Sequence, residues 1–331
     1  MTDTVQISAD ISVIIVNYGT ADLAIKAVES VLDRTHGPHT VDIHLVDNAS
    51  PGDDAARLQA VFGTPGYADR VTLYLERENH GFGRGNNLVL RALARRSTPP
   101  DFVFLLNPDA QLENETLEIL AQTLQDNPEV AVAGAGIALP SGQRVTAAFR
   151  FPSAAAEFVR ALNFGPVNRL MPRASVALPE DHPMGPVDWV AGAAVLFRRD
   201  AIEEVGGFDP AFFLYFEEVD LMRMIRNAGH EIWYVPTARV IHAEGAATQV
   251  RSGASQRRAR PAYWYDSWRH YYIKNHGRAG ALVAGMAWMV GAVLNHVLAR
   301  LRRQDPHAPL HFFRDMTQHV LRPLLGRTGA G

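Results

Sequence analysis

Two kinds of hydrophobic pattern alternate over the first 125 residues. Short runs rich in β-branched residues, at 12–17, 43–47, 71–75 and 102–106, are separated by stretches in which apolar side chains recur every three or four positions. The first pattern marks a buried strand and the second a helix with one apolar face. Within 22–32, Leu23, Ala27, Val28, Val31 and Leu32 share a side, and 86–95 and 116–124 behave alike. The alternation predicts an α/β fold, a mostly parallel central sheet with helices on both faces. After each run comes a polar cluster: Asn17-Tyr-Gly, Asp47-Asn-Ala-Ser, Glu78-Asn-His-Gly and Asn107-Pro-Asp. Ligands of open α/β sheets bind outside the carboxyl ends of the strands, so the four clusters are expected to face one crevice.

Further along, Pro152, Pro166, Pro172, Pro179, Pro183 and Pro186 interrupt any period, and 140–185 reads as a loop-rich insertion. A strand over 189–197, a turn at Gly206-Gly207, a helix over 217–228 closed by Gly229, and strands near 232–235 and 239–242 complete a first region, 1–254. The remainder, 255–331, reads as a helical appendage with helices at 256–275, 279–300 and 307–321.

Composition narrows the chemistry. The 331 residues include no cysteine, which excludes disulfide staples, cysteine-held metals and thiol catalysis. The formal charge of −3 conceals a division: 1–254 carries −12 and 255–331 carries +9. A basic segment fits nucleic acid, anionic lipid or a solvated face equally well. Residues 279–299 carry no charge, while Lys274, Arg278, Arg300, Arg302 and Arg303 flank them, a pattern that suits a helix lying against an anionic cytoplasmic leaflet better than a clean span. The aromatic run at 263–272 suits a membrane interface; a packed helical appendage is the alternative. The N-terminus lacks a cationic and apolar leader pattern, so a cytoplasmic location is expected.

Several residues stand out chemically. The glycine cluster His80-Gly-Phe-Gly-Arg-Gly-Asn86 follows the third strand, whereas a dinucleotide fingerprint follows the first; it reads as a backbone approach to another nucleotide or as a tight turn. Asp109 ends a buried strand, where it is placed either to bind Mg²⁺ or Mn²⁺ or to cap a helix. Asp47 is similarly poised to accept hydrogen bonds from a base or ribose, or to cap. Glu217, Glu218 and Asp220 at a helix start favour the helix dipole. The preceding Phe212, Phe213, Tyr215 and Phe216, however, would hold some of these carboxylates against apolar surface, and desolvation makes a carboxylate a stronger base. Glu218 shares a helix face with Leu221, Met222 and Ile225; Glu217 and Asp220 lie beside it, near Arg223. His242 ends another apolar run, as a hydrogen-bonded residue or a metal ligand.

Taken in order, Val13-Ile-Ile-Val-Asn-Tyr, Val46-Asp-Asn-Ala-Ser, Asn79-His-Gly-Phe-Gly-Arg-Gly-Asn-Asn87, Leu106-Asn-Pro-Asp109, Val190-Ala-Gly-Ala, Gly206-Gly-Phe-Asp-Pro, Tyr215-Phe-Glu-Glu-Val-Asp-Leu221 and Val240-Ile-His242 resemble family 2 inverting glycosyltransferases of the GT-A fold. The resemblance spans about 11–250. The Asn-Pro-Asp form, Arg150-Phe-Pro-Ser153 and Val187-Asp-Trp-Val-Ala-Gly192 look most like the rhamnosyltransferase subgroup, which acts on lipid-linked glycans. It implies a nucleotide-sugar donor lined by Asn17, Tyr18, Asp47, Asn79, Gly81, Gly85, Asn86 and Asn107, with Trp189 and Gly192 at the substrate. It also implies Mn²⁺ or Mg²⁺ on Asp109 and His242, and Glu218 as general base flanked by Glu217 and Asp220. The implied acceptor is a glycan or a polyprenyl-diphosphate-linked glycan, at the inner face of the cell membrane and without nucleic acid. Asn107 stands where the family carries the first acid of an Asp-x-Asp pair, and Glu218 where aspartate is commoner. A nucleotidyltransferase and a non-catalytic binding module are the competing readings; the first lacks a basic glycine-rich loop after strand one.

Overall fold

In the computed structural model, residues 8–67, 69–243 and 257–326 are described. The chain forms two compact units: Met1–Phe149 with Ala177–Pro210 and Glu218–Gly253, and Arg150–Val176 with Ala211–Glu217 and Ala254–Gly331. The order begins β1 (Asp10–Asn17), α1 (Ala21–Leu32), β2 (Thr40–Asp47), α2 (Asp54–Phe62), β3 (Val71–Leu75), α3 (Phe82–Leu93) and β4 (Phe102–Leu106). Next come β5 (Ala110–Leu112), α4 (Thr116–Asp126), β6 (Val130–Ala138), β7 (Arg144–Val145), β8 (Ala148–Phe149), α5 (Ala154–Leu162) and α6 (Gly165–Leu170). They are followed by β9 (Gly185–Pro186), β10 (Trp189–Val190), β11 (Ala194–Arg198), α7 (Arg199–Glu204), α8 (Glu217–Asn227), β12 (Glu231–His242), α9 (Ala262–Arg302) and α10 (Phe312–Met316).

In the first unit the main sheet runs β3-β2-β1-β4-β11-β6-β12-β5. The first four strands are parallel, with Asn17 of β1 directly opposite Asp47 of β2. Antiparallel β11 then joins β4 to β6. Side chains alternate across a strand, and β1 divides accordingly. Ile11, Val13 and Ile15 enter one core with Ala24, Val28, Leu58 and Leu120 from α1, α2 and α4. Ile14 and Val16 enter another with Val89 and Leu93 of α3 and Leu221, Met222 and Ile225 of α8. The sheet is thus covered on both faces, as the patterning predicts.

Three expectations about secondary structure are corrected. The strand expected over 189–197 is two pieces, β10 and β11, separated by a turn at 191–193. The two strands expected near 232–242 are one, β12, whose register shifts between Val235 and Arg239; Pro236 has no N–H to give the ladder. The loop-rich reading of 140–185 fails at α5, a helix-forming run between Pro152 and Pro166, capped where the Ser153 hydroxyl accepts the Ala156 N–H at 3.2 Å.

In the second unit, α9 is two helices broken at Gly277 (φ 69°, ψ 171°), between the two that the sequence predicts. The aromatic run opening α9 is core, correcting its reading as a membrane-interface belt: Tyr265, Trp268, Tyr271 and Tyr272 are fully buried. The ring polar groups of Trp268 and Tyr272 are satisfied inside, both donating to Glu157 of α5 at 2.9 Å. The second half of α9 packs closely on α5, since a Cβ at Gly291 would lie 2.6 Å from the Phe158 carbonyl oxygen.

Candidate active site

The carboxyl end of the sheet is built from a polar network. Asn17 is fully buried and its amide donates to Asp47 Oδ1 (3.0 Å), Ser50 Oγ (3.1 Å) and Asp54 Oδ2 (3.3 Å). Its Oδ1 accepts the Thr20 N–H and hydroxyl at 3.2 and 2.8 Å. Asp47, 1% exposed, also receives the Ser50 N–H at 3.2 Å. Asn17 and Asp47 therefore hold two strand ends and the starts of α1 and α2 together, leaving the neighbouring Tyr18, 44% exposed, as the accessible side chain at this edge.

The glycine loop is clamped by a residue the sequence reading passed over. Asn48 donates to Asn79 Oδ1 and to the Gly81 carbonyl, both at 3.1 Å, and its own Oδ1 accepts the His80 N–H at 3.2 Å. Gly81 adopts φ 80°, a conformation favouring glycine. Asn86, fully buried, donates to the Phe82 carbonyl at 3.0 Å, while its Oδ1 has no hydrogen-bond partner among the described residues. Asn87, a second residue passed over, makes a reciprocal pair with the Phe208 backbone at 2.7 and 3.0 Å, tying the Gly206-Gly207 turn to α3. In sequence Asn48 is visible only as a polar member of a loop motif and Asn87 only as a polar position of the expected helix, and the hydrophobic period reports on neither.

Gly85 serves packing: a Cβ there would lie 2.9 Å from Val16 Cγ1, at the end of β1. Gly85→Ala is expected to destabilise the protein by about 1–3 kcal/mol through overpacking, read as a lower urea midpoint at unchanged slope.

At the end of β4, Asp109 is buried and its Oδ1 lies 2.9 Å from Nε2 of His242, the last residue of β12. The Asn107 amide nitrogen is 3.5 Å from the same ring nitrogen. One carboxylate and one imidazole converge here, although among the described residues no group of three His, Asp or Glu gathers. The pair fits a divalent ion that takes two protein ligands and fills its shell with phosphate oxygens or water, as Mg²⁺ commonly does. With the Asn107 amide turned over, a choice of atom labels rather than of position, its oxygen faces the same point.

The turn between β10 and β11 links this point to Glu218. Asn107 donates its N–H to the Ala193 carbonyl at 2.9 Å, and a Cβ on neighbouring Gly192 would sit 3.4 Å from Cβ and Cγ of Glu218. Trp189, at the start of β10, stacks on Phe149 with centroids 4.1 Å apart. Leu221, Met222 and Ile225 are fully buried, which fixes the face of α8 that Glu218 shares. Glu217 and Asp220 are 2% and 0% exposed, whereas Glu218 is only partly covered. Glu218 Oε2 nevertheless is buried without a hydrogen-bond partner among the described residues, and burial pushes its carboxyl above the ordinary carboxylate range.

Immediately before α8, Tyr215 and Phe216 both take the left-handed conformation, φ 72° and 70°, a strained one for bulky residues. Within the second unit their rings are held by α9: Tyr215 stacks on Tyr263 at 6.1 Å, and Phe216 packs on Trp264 and Tyr271 at 5.5 and 5.4 Å. The Ser267 hydroxyl donates to the Leu214 carbonyl at 3.0 Å. The aromatic helix thus over-determines the turn from which α8 starts.

A carboxylate with a raised proton affinity, a paired carboxylate and imidazole, and a glycine loop at the end of a parallel sheet form one arrangement. Residues 9–264 match the family described as Glycosyltransferase like family 2, and the chain belongs to that family. It is an enzyme, a glycosyltransferase, which replaces the nucleotidyltransferase and binding-module readings. It is 29% identical over 247 residues to the N-acetylglucosaminyl-diphospho-decaprenol L-rhamnosyltransferase of Mycobacterium tuberculosis, covering 71% of this chain and 76% of that protein. It is 25% identical to rhamnosyltransferase WbbL of Escherichia coli, over 51% of this chain and 63% of that one. Among solved structures, the fold is similar to that of the mannosyltransferase PcManGT from Pyrobaculum calidifontis in complex with GDP-Man and Mn²⁺, with a TM-score of 0.54, 15% identity and coverage of 89% of this chain and 76% of that one. The GT-A fold expected from the motifs is therefore the fold observed.

Proposed function

We propose that this glycosyltransferase moves L-rhamnose from dTDP-rhamnose to a hydroxyl of a polyprenyl-diphosphate-linked glycan, inverting configuration in one displacement. The observation that supports the mechanism is the turn at 191–193, whose Ala193 carbonyl accepts the N–H of Asn107, the neighbour of the Asp109 and His242 pair, and whose Gly192 lies against Glu218. The names of the two rhamnosyltransferase relatives support the sugar, and that of the mycobacterial one supports the lipid-linked acceptor.

In this reading Tyr18, Asn79, Gly81 and Asn107 border the nucleotide, with buried Asn17, Asp47, Gly85 and Asn86 fixing the strand ends and the glycine loop behind them. Asp109 and His242 would hold Mn²⁺ or Mg²⁺, which when bound supplies positive charge to the diphosphate leaving group. Trp189 and Gly192 form the wall beside the sugar. Glu218 takes the acceptor hydroxyl proton as the oxygen attacks the anomeric carbon; that C–O bond forms as the bond to the diphosphate breaks, and dTDP leaves with the electron pair. Buried Glu217 and Asp220 anchor the first turn of α8. The enzyme works in the cytoplasm, at the inner membrane face where such an acceptor is anchored.

The donor is tested by ligand-detected binding and transfer with Mn²⁺ present. The expected result is that dTDP-rhamnose binds about tenfold or more tightly than UDP-glucose, UDP-galactose or GDP-mannose and alone supports transfer. Preference for any of the other three overturns the rhamnosyl assignment while leaving the glycosyltransferase class intact.

A further inference from the structure

The second half of α9 carries two opposed faces. Ala281, Ala284, Gly285, Trp288, Ala292, Asn295 and Ala299 are buried on one side. On the other, Val283 (60% exposed), Met286 (47%), Val290 (46%), Val293 (49%), Leu294 (43%), Val297 (54%) and Leu301 (77%) stand in solvent. Their spacing of three and four residues places them in one stripe about 100° wide. At these exposures the stripe offers on the order of 600 Å² of aliphatic surface, the top of the range for the largest apolar patch of a soluble monomer, and patches of that size are often functional.

We propose that this stripe is the face by which the protein lies in the surface of an anionic lipid bilayer, with α9 parallel to the membrane plane. The proposal rests on the membrane-side acceptor assigned above for its setting and adds the face and the orientation. Spanning is excluded by the opposite side of the helix, where Asn295 donates to the Leu162 carbonyl at 2.9 Å and Gly291 lets α9 approach the α5 backbone closely. A helix crossing a bilayer alone is apolar all round; this one is apolar outward and packed on protein inward.

Charge selects lipid over a second copy of the chain. Between Asp266 and Asp305 the sequence has no acid, whereas Arg278 opens the second half of α9, with its guanidinium on the Pro323, Leu324 and Gly326 carbonyls, and Arg300, Arg302 and Arg303 close it, Arg302 over the Phe164 ring. Self-pairing through the stripe, parallel or antiparallel, therefore brings cation against cation. Anionic head groups around a buried apolar stripe neutralise both ends, the arrangement of an interfacial amphipathic helix.

The full chain is sedimented with vesicles of phosphatidylcholine containing phosphatidylglycerol, and with phosphatidylcholine alone. The triple variant Val290→Glu, Val293→Glu, Val297→Glu is compared, its fold checked by circular dichroism and by transfer to a short water-soluble acceptor. The expected result is binding to the anionic vesicles, at least about tenfold weaker without phosphatidylglycerol and lost in the variant, with transfer to the soluble acceptor unchanged and the bound protein released by alkaline carbonate. Retention in carbonate overturns the in-plane orientation. Native-level binding by the folded variant overturns the face. A dimer in light scattering that the variant converts to monomer, without vesicle binding by the native chain, assigns the stripe to a second copy. Should Val290→Glu, Val293→Glu, Val297→Glu fail to fold, the single variants Val293→Lys and Val293→Glu give the same comparison with opposite charge. These outcomes are independent of which sugar is transferred, so failure here and failure of the donor assignment are distinguishable.

Discussion

Glu218→Gln is expected to lower transfer by roughly 10²–10⁴-fold, the range a positioned general base contributes, while donor affinity stays within about twofold of native. The substitution preserves volume and removes only the capacity to take a proton. The neighbouring acids do not replace it, because Glu217 and Asp220 are 2% and 0% exposed while Glu218 keeps an open edge. Single-turnover transfer with donor binding followed separately checks this; near-native turnover removes Glu218 as the base.

The same residue sets a pH dependence with a definite sign. Burial raises the Glu218 carboxyl above its unfolded value, so kcat/KM rises with pH through an acid limb displaced upward from the ordinary carboxylate range. Stability moves the opposite way. A carboxyl raised in the folded state contributes fully below its unfolded pKa, and that contribution is lost as pH rises through the folded one. Glu218→Gln therefore flattens this part of the stability profile and leaves the variant at least as stable as native at neutral pH. A merely structural carboxylate would show the stability effect without the rate loss. Burial without a partner for Oε2 is thus a cost in stability retained at the point where the proposed reaction needs a base.

Much of this was legible before the structure, and the physical reason differs by element. The parallel half of the sheet announces itself because β1, β4 and the carboxyl half of β2 are buried apolar runs and each crossover helix has one apolar face; periodicity reports both, and the edge strand β3 is the more exposed one. The inward face of α8 follows from the same arithmetic, with Leu221, Met222 and Ile225 all fully buried. The placement of β11 between β4 and β6 is a long-range pairing that no local pattern encodes. Helix α5 hides because it is nine residues long and lies between prolines. Asn48 and Asn87 hide for another reason: an asparagine in a loop or on the polar side of a helix looks the same whether it touches solvent or clamps a distant backbone. The aromatic run of α9 misled because amphipathic rings satisfy their polar tips as well on a buried Glu157 as at a lipid head group. The residues that this helix leaves exposed are instead the aliphatic ones of its second half, and only the packing on α5 reveals which they are.

Removal of the divalent ion, or of the groups proposed to hold it, is the second large effect. Excess chelator is expected to abolish transfer and added Mn²⁺ or Mg²⁺ to restore it. Asp109→Ala should weaken Mn²⁺ binding in the presence of dTDP by about tenfold or more and lower transfer by about 10²-fold or more, because the ion then keeps one protein ligand instead of two. His242→Ala should act in the same direction and less strongly, since a neutral imidazole supplies no countercharge. Asn107→Asp gives the opposite sign: it places a second carboxylate where the amide nitrogen now stands 3.5 Å from His242 Nε2 and should tighten Mn²⁺ binding. The readout is free Mn²⁺ measured by electron paramagnetic resonance, with and without dTDP, alongside transfer. Two carboxylates and an imidazole binding Mn²⁺ less well than the native set would place the ion elsewhere. Undiminished transfer in excess chelator would remove the ion from the reaction and leave the Asp109 and His242 pair, 2.9 Å apart, as a structural clasp between β12 and the end of β4.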